Sequence, residues 1–227
     1  MKITAIIPTA WRKPELTRSL VHAIVQEVHD VILVDNSQGA YDNSIFDCLS
    51  ITDPRPFNWS RVNNYGVRYA GDKTDFFLFL NDDLEVIDRQ WLGKLMVAFD
   101  DPNVGVASAC VELPDGCVPG PAAKLDPAAH SGVVGTGTIP DGITDVQAIG
   151  GACFAVRKGV FHKVGGFDER FEITHSDTVF GLQAAKYGRV VLVPDSRIRH
   201  YERSSRGPDI AADTKLFRSI YFREPVA

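Results

Sequence analysis

Residues 75–86 read DFFLFLNDDLEV, in which five consecutive apolar residues pass directly into an amide and two carboxylates. A short apolar run of this kind predicts a buried strand in the centre of a sheet. In open α/β sheets, ligands bind outside the carboxyl ends of such strands. The stretch therefore marks Asn81, Asp82 and Asp83 as the edge of the sheet where a functional site would lie.

The first 35 residues add two strands to that sheet. We predict strands at residues 3–7 and 31–34, with a helix at residues 15–25 between them. Strand, helix and strand at this spacing form a βαβ unit, in which the two strands run parallel. Pro8 is predicted to end the first strand, and Asp35 follows the second. Because the carboxyl ends of the two strands are then neighbours, Thr9 and Asp35 are placed to share one pocket.

The rest of the chain continues the alternation of strands and helices. The predicted elements are helices at residues 59–70, 89–99, 158–164, 176–187 and 213–222, and strands at residues 104–109 and 190–193. Residues 114–142 contain five prolines and six glycines without a sustained period, which predicts one long loop. A loop of this length in a compact domain is usually functional or disordered.

Composition excludes several classes of protein. Over 227 residues, 24 Lys and Arg stand against 29 Asp and Glu, and 44% of the residues are hydrophobic. These globular values exclude general disorder, and the acidic excess argues against a protein that coats nucleic acid or an anionic membrane. No apolar run reaches the roughly 18–20 residues that cross a bilayer, and the four cysteines form no CxxC pair. We therefore expect free thiols, no membrane span and a cytoplasmic location.

The acidic motif after the central strand suits a divalent cation. Adjacent carboxylates repel each other, so Asp82 and Asp83 need a cation or hydroxyl groups beside them. Mg²⁺ and Mn²⁺ take carboxylate oxygens and keep open positions for the phosphates of a substrate. The alternative is that both residues only cap the helix that follows. No GxGxxG follows the first strand, which disfavours a nicotinamide dehydrogenase.

Two later residues are further candidates for chemistry. Asp177 lies at the start of a predicted helix, where it is either a cap favoured by the helix dipole or a general base facing an acceptor hydroxyl. His200 follows the last predicted strand and opens a polar segment that contains Arg203 and Arg206. That segment suits a phosphate-binding lid because arginine forms charge-assisted hydrogen bonds to phosphate. The alternative for His200 is a purely structural role.

In order and spacing, these segments resemble glycosyltransferases of the GT-A fold, most closely family 2 of the nucleotide-sugar transferases. The resemblance covers residues 3–206. The segments that carry it are IIPTAWRKPELTRSL at 6–20, VILVDNS at 31–37, FNWSRVNNYGVRYA at 57–70, FLFLNDDLEV at 77–86, GGACFAVRKGVFHKVGGFDERF at 150–171, SDTVFGLQAAKYG at 176–188 and VVLVPDSRIRH at 190–200.

The resemblance implies a set of residues for the sugar donor. The nucleotide-binding residues would be Pro8, Thr9, Arg12, Asp35, Asn64, Asn81, Asp82 and Arg203. Asp83 and His200 would hold the metal, Mn²⁺ or Mg²⁺. In the family's Asp-x-Asp motif the first acidic position is here Asn81.

The same resemblance implies the residues of the acceptor side. Gly150, Gly151 and Ser176 match the segments that line the sugar and acceptor pocket, and Asp177 matches the catalytic base of inverting members. Ser176 stands where the family has the Glu of a Glu-Asp pair.

The implied protein is a single α/β GT-A domain with a mostly parallel central sheet flanked by helices. Residues 1–110 would form the nucleotide-binding half, residues 111–207 the acceptor half with its loop at 114–142, and residues 208–227 a helical tail. The implied activity is metal-dependent transfer of a sugar, from a UDP-sugar in the first instance, to a glycan, lipid-linked, protein or small-molecule hydroxyl with inversion. No nucleic-acid partner is expected, and any membrane contact would be peripheral.

Three alternatives remain beside this interpretation. A retaining enzyme similar to the polypeptide N-acetylgalactosaminyltransferases shares the acidic motif, the GGFDE turn and a late histidine. A sugar-phosphate nucleotidyltransferase is disfavoured, because it needs a glycine-rich phosphate loop where this chain has Pro8-Thr9-Ala10-Trp11. From another class, the chain would be an inactive module that only binds a nucleotide-sugar.

Overall fold

The structure, a computed structural model, describes residues 1–37, 46, 48–118, 123–135, 137–201 and 210–224. The strands are β1 Ile3–Thr9, β2 Asp30–Asp35, β3 Leu49–Thr52, β4 Phe76–Leu80, β5 Leu84–Glu85, β6 Val104–Glu112, β7 Ala123–Leu125, β8 Val133–Gly135, β9 Thr144–Asp145, β10 Cys153–Arg157 and β11 Arg189–His200. The helices are α1 Pro14–Ile24, α2 Trp59–Val67, α3 Trp91–Val97, α4 Lys158–Val164, α5 Ser176–Ala184 and α6 Ile210–Tyr221, and a short 3₁₀ turn, Ala98–Asp100, follows α3.

A nine-stranded sheet organises the described residues, in the order β3-β2-β1-β4-β10-β6-β11-β5, with β9 also paired to β11. Strands β3, β2, β1 and β4 are parallel neighbours, as are β6 and β11. Strand β10 lies antiparallel between β4 and β6, and β5 and β9 are antiparallel to β11. The predicted α/β class and the parallel βαβ unit are confirmed, within a sheet that is mixed.

Both faces of the central strands are buried, because successive side chains point alternately to the helices on either side of the sheet. Leu78 and Leu80 of β4 pack with α1 and α3 on one face, whereas Phe77 and Phe79 pack with α2, α4 and α5 on the other. Because side chains of successive strand residues point to opposite faces, a strand covered on both faces needs an unbroken apolar run. The run at residues 76–80 therefore forms a central strand, as predicted.

Two strands continue through prolines that were predicted to end them. Pro8 of β1 pairs with Val34 of β2 and lies beyond Ile6, the last residue of β1 paired with β4. On that side no ladder partner needs the N–H that proline lacks. In β11 the register against β6 shifts between Val193 and Arg197, an irregularity that accommodates Pro194. These extensions carry Thr9 and His200 to the edge of the sheet.

Residues 114–142 were predicted as one long loop, and that prediction is wrong for part of the segment. Strands β7 and β8 form a small antiparallel sheet of their own, which we call the acceptor-side hairpin (residues 123–135). Ala123 also bridges to Ala148. Strands of three residues are too short to show an alternating pattern among so many glycines and prolines, so no periodic signal predicts them.

The C-terminal helix begins three residues earlier than predicted and packs on the body of the fold. Phe217 of α6 is fully buried against Phe171 and Val179. All four cysteines are free thiols, as expected. Within the described ranges, every helix falls short of the length and apolar content that a bilayer crossing requires.

Candidate active site

The carboxyl ends of β1, β2 and β4 meet at one edge of the sheet. Thr9 at the end of β1 is paired in register with Asp35 at the end of β2. The Thr9 hydroxyl donates to Asp82 Oδ2 over 2.6 Å and accepts from the Trp11 N–H over 2.9 Å. Asp35 is 1% exposed, and its Oδ1 accepts the Ser37 N–H over 2.7 Å. The structure therefore brings together the first two predicted nucleotide-binding strand ends and the acidic motif.

Burial and charge both act on the first aspartate of the acidic motif. Removal from water, with a smaller effect of the neighbouring Asp83 carboxylate, raises the pKa of Asp82 to about 6 against hydrogen bonds from Thr9 and Thr17. The hydroxyl donors Thr9 and Thr17 favour the ionised form of this carboxyl and so limit the rise in its pKa. The motif thus stores repulsion that a cation or the hydroxyls of a ligand would relieve.

The second aspartate of the motif faces the predicted metal histidine. Asp83 Oδ1 lies 2.9 Å from His200 Nε2, and the Asn81 amide nitrogen lies 3.3 Å from the same ring nitrogen. The Tyr201 N–H donates to the Asp83 carbonyl over 3.0 Å, which fixes the end of β11 against the motif. Residues 83 and 200 are far apart in the sequence. They meet because β5, which directly follows Asp83, pairs with the end of β11.

The donor atoms at this point fit a divalent cation. One carboxylate oxygen and one imidazole nitrogen suit Mn²⁺, and a cation that also binds substrate phosphates needs few protein ligands. Within the described ranges, no group of three or more His, Cys, Asp or Glu side chains is arranged to hold a metal. Asp83 and His200 would therefore hold the cation together with phosphate oxygens of a bound substrate.

Asp177 is held by two backbone amides on the other side of the site. Its Oδ2 accepts the Gly151 N–H over 2.6 Å, and its Oδ1 accepts the Thr178 N–H over 2.7 Å. Burial raises the pKa of the Asp177 carboxyl despite these hydrogen bonds. A β-carbon added at Gly151 would lie 2.7 Å from Asp177 Oδ2. Only glycine at 151 therefore allows the carboxylate this close to the backbone.

A backbone hydrogen bond links the acidic motif to the segment that holds Asp177. The Asn81 N–H donates to the Ala152 carbonyl over 2.9 Å, and the neighbouring Gly151 holds Asp177. The acidic motif and Asp177 are thus fixed to adjacent residues at the start of β10. Gly150, one residue earlier, has open space around its α-carbon.

Two predicted site residues have structural partners instead. The Asn64 side chain bonds both backbone groups of Phe167, over 2.9 Å in each case, and so fastens the turn after α4. Ser176 is 2% exposed, and its hydroxyl lies 2.5 Å from that of Ser60 in α2. Its side chain points into the core, so Ser176 does not bring a polar group to the acceptor pocket.

Of the remaining predicted residues, Pro8 lies in β1 beside Val34, and Arg12 is exposed on the loop that leads to α1. Arg203 lies outside the described residues, as does Arg206.

Three residues that support the site were not predicted from the sequence. The Trp59 indole N–H donates to Asn81 Oδ1 over 3.0 Å. Lys13 donates to the Tyr201 carbonyl over 2.8 Å, and Asp213 of α6 accepts backbone N–H groups just before α5. Trp59 lies within a segment that carries the family resemblance, whereas nothing local distinguishes Asp213 from an ordinary acidic residue in the first turn of a helix.

Comparisons with known proteins place this site in a family. Residues 4–165 match the family model described as "Glycosyl transferase family 2". "O-antigen biosynthesis protein RfbC" of Myxococcus xanthus is 30% identical over 99% of this chain, which covers 19% of that protein. "Uncharacterized protein y4gI" of Sinorhizobium fredii is 29% identical over 98% of this chain, which covers 26% of it. The chain thus spans about a fifth to a quarter of these relatives.

Solved structures show the same fold at low identity. GalNAc-T7 with UDP, GalNAc and Mn²⁺ has a TM-score of 0.73 at 13% identity, over 96% of this chain and 48% of that one. The mannosyltransferase PcManGT from Pyrobaculum calidifontis, in complex with GDP-Man and Mn²⁺, has a TM-score of 0.66 at 15% identity, over 99% of this chain and 65% of that one. The fold is the GT-A fold, and the chain belongs to glycosyl transferase family 2.

Proposed function

We propose that this chain transfers a sugar from a nucleoside-diphosphate sugar to an acceptor hydroxyl in a metal-dependent reaction. The observation that carries the proposal is the contact of Asp83 with His200, 2.9 Å apart at the edge of the sheet, beside the bond from Thr9 to Asp82. A pair of metal ligands next to a nucleotide pocket suits a diphosphate leaving group, because a bound cation neutralises the charge that develops on it. Among donors, a UDP-sugar is the first choice.

The residues at the strand ends would bind the donor. Thr9 and Asp35 would hold the nucleotide base, and Asp82 or Asn81 would face the ribose. Asp83 and His200 would hold Mn²⁺ or Mg²⁺, which when bound neutralises the charge that develops on the departing nucleoside diphosphate. Trp59 and Tyr201 would keep Asn81 and the Asp83 backbone in place through the hydrogen bonds described above.

Asp177 would act as the general base. The acceptor oxygen forms a bond to the anomeric carbon, the bond from that carbon to the phosphate oxygen breaks, and the hydroxyl proton passes to the Asp177 carboxylate. Attack opposite the leaving group inverts the anomeric configuration. The amides of Gly151 and Thr178 orient the carboxylate, and its raised pKa makes it a stronger proton acceptor once ionised.

The acceptor would enter beside the acceptor-side hairpin. A cavity of about 90 Å³ is lined on one side by Ala123 and Val133 of the hairpin. On the other side it is lined by Gly150 and Thr178, which adjoin Gly151 and Asp177 in the sequence. This volume suits one substituent of a sugar ring rather than a whole ring. The name of the Myxococcus xanthus relative refers to O-antigen biosynthesis, which supports a glycan as the acceptor.

The decisive experiment is a screen of UDP-, GDP- and dTDP-sugars with the protein and Mn²⁺, scored by release of the nucleoside diphosphate. We expect release from one donor class and its loss on chelation by EDTA. Cleavage of no donor, with UDP bound normally, would favour an inactive binding module. NMR of the product anomer tests inversion, and retention would favour a mechanism like that of the polypeptide N-acetylgalactosaminyltransferases.

A further inference from the structure

Helix α6 follows the residues that match the family model, yet it contacts the segment that precedes Asp177. The Asp213 carboxylate, 4% exposed, accepts three consecutive backbone N–H groups. Oδ1 accepts from Glu172 over 3.1 Å, and Oδ2 accepts from Ile173 and Thr174 over 2.8 Å each. Three amides converging on one carboxylate fix the course of this backbone.

The next residue, His175, is held by the same helix. Its backbone is left-handed, with φ of 62°, a conformation that costs a residue with a β-carbon free energy unless its surroundings impose it. The His175 ring stacks on Phe217 with centroids 4.5 Å apart and planes at 5°. Its Nε2 lies 3.2 Å from the Thr214 hydroxyl oxygen. Helix α6 therefore supplies the contacts that impose this turn.

The turn at His175 sets the direction in which α5 starts. The His175 carbonyl accepts the Val179 N–H over 2.8 Å in the first turn of the helix. Asp177 stands in that turn, two residues after His175. A change in the backbone at 172–175 would therefore rotate the Asp177 carboxylate away from the Gly151 amide.

Helix α6 is also fixed on its opposite side. Arg218 donates to the carbonyls of Pro127 and Ala129 over 2.8 and 2.6 Å. Gly132, with φ of 76°, leaves no room for a β-carbon, which would lie 2.9 Å from Phe217. The helix thus lies between the acceptor-side hairpin and the segment that carries Asp177, and it sets the spacing between them.

We propose that α6 orients the catalytic segment of the active site and that Asp213 is a positioning residue for Asp177. The inference rests on the proposed function, because it assigns to α6 the task of orienting the base. It extends that function to a helix that lies outside the stretch matched by the family model.

The test is Asp213→Asn, which keeps the shape of the side chain but turns an NH₂ group toward a backbone N–H. Calorimetry with UDP and Mn²⁺ gives the fraction of the protein that is competent to bind. The rate of transfer is then expressed per competent molecule. We expect kcat to fall at least tenfold, with the Kd for UDP and the donor KM within twofold of the parent. Ser219→Ala is the control, since that hydroxyl donates to the Leu216 carbonyl within α6, and it should leave both constants unchanged.

A double variant separates positioning from a general loss of structure. If Asp213 acts through Asp177, adding Asp213→Asn to Asp177→Asn should change the residual rate by less than twofold. An equal loss in both backgrounds, or an unchanged kcat in the single variant, would overturn the inference. If Asp213→Asn does not fold, Thr214→Val, which removes only the contact to His175, should still lower kcat by several fold. If Asp177→Asn itself retains the parent rate, the proposed base is wrong, a result separate from these.

Discussion

The proposed donor side and the proposed base side of this site are built in different ways. The proposed donor side comprises Thr9, Asp35, Asp82, Asp83 and His200. It lies at strand ends, since β1 pairs with β2 and β4, and β11 pairs with β5, which directly follows Asp83. The proposed base side comprises Gly151 and Asp177; loop backbone holds its carboxylate, and α6 contacts the segment that precedes it. Sheet order positions the first group, whereas contacts between segments far apart in sequence position the second. The two sides should therefore respond separately to substitution.

The largest effect should come from the base itself. Asp177→Asn removes the proton acceptor while keeping a side chain of the same size beside Gly151. We expect transfer to fall by roughly a factor of 100–10,000, the usual contribution of a general base. UDP affinity in the presence of Mn²⁺ should stay within twofold, measured by calorimetry. A rate close to that of the parent would remove Asp177 from the mechanism.

The corresponding change on the donor side should affect binding. Asp83→Ala leaves His200 without its carboxylate partner at 2.9 Å, and we expect UDP affinity with Mn²⁺ to fall by a factor of about 100, since metal-site affinity depends on each ligand. Asp88→Asn is the matched control, because Asp88 pairs with Lys94 outside the site. Unchanged Mn²⁺-dependent binding in Asp83→Ala would contradict the metal assignment.

Gly151→Ala tests whether the two sides are separable. The added β-carbon would lie 2.7 Å from Asp177 Oδ2, so the carboxylate must move. Misplacement of a reacting group by about 1 Å can cost up to about 100-fold in rate, and we expect a loss of about tenfold in kcat with normal UDP binding. Gly159→Ala, with open space around its α-carbon, should behave like the parent. A loss of UDP affinity in Gly151→Ala would show that the two sides are not independent.

The smallest effect should be a loss of folding stability at acidic pH. Burial lowers the pKa of His175, against an opposing effect of Asp213. In the unfolded chain His175 therefore takes up a proton as the pH falls through about 6.5, whereas in the folded chain it takes up that proton only at a lower pH. As the pH falls below that value, folding free energy should be lost at up to about 1.4 kcal/mol per pH unit until the folded pKa is reached. Chemical denaturation at pH 7.5 and 5.5 measures this, and His175→Gln should reduce the difference.

Much of the fold was predictable because local patterns report local burial. The run at residues 76–80 is apolar since both faces of β4 are covered, and α4 spans the predicted residues 158–164. The predicted ends at Pro8 and Pro194 were wrong because the tolerance of a strand for proline depends on its partner strand, which the local pattern does not contain.

The site was predictable to the same extent and for the same reason. Strand order makes neighbours of Thr9, Asp35 and the acidic motif, and these could be anticipated from the βαβ pattern. Asn64 and Ser176 could not, because their partners Phe167 and Ser60 come from distant segments. The resemblance placed both in the binding site, and their observed hydrogen bonds are structural.

By itself, the sequence determined the α/β class, the parallel strand ends and the acidic edge of the sheet, since hydrophobic periodicity and strand direction act over short stretches of chain. The resemblance implied that Asp83 and His200 share a metal, and the tertiary structure places them 2.9 Å apart. Only the folded structure shows that Gly151 holds Asp177 and that the helix at 210–221 contacts the segment before Asp177. These contacts join residues far apart in the chain, and their free energy depends on packing and burial that appear only when the whole chain has folded.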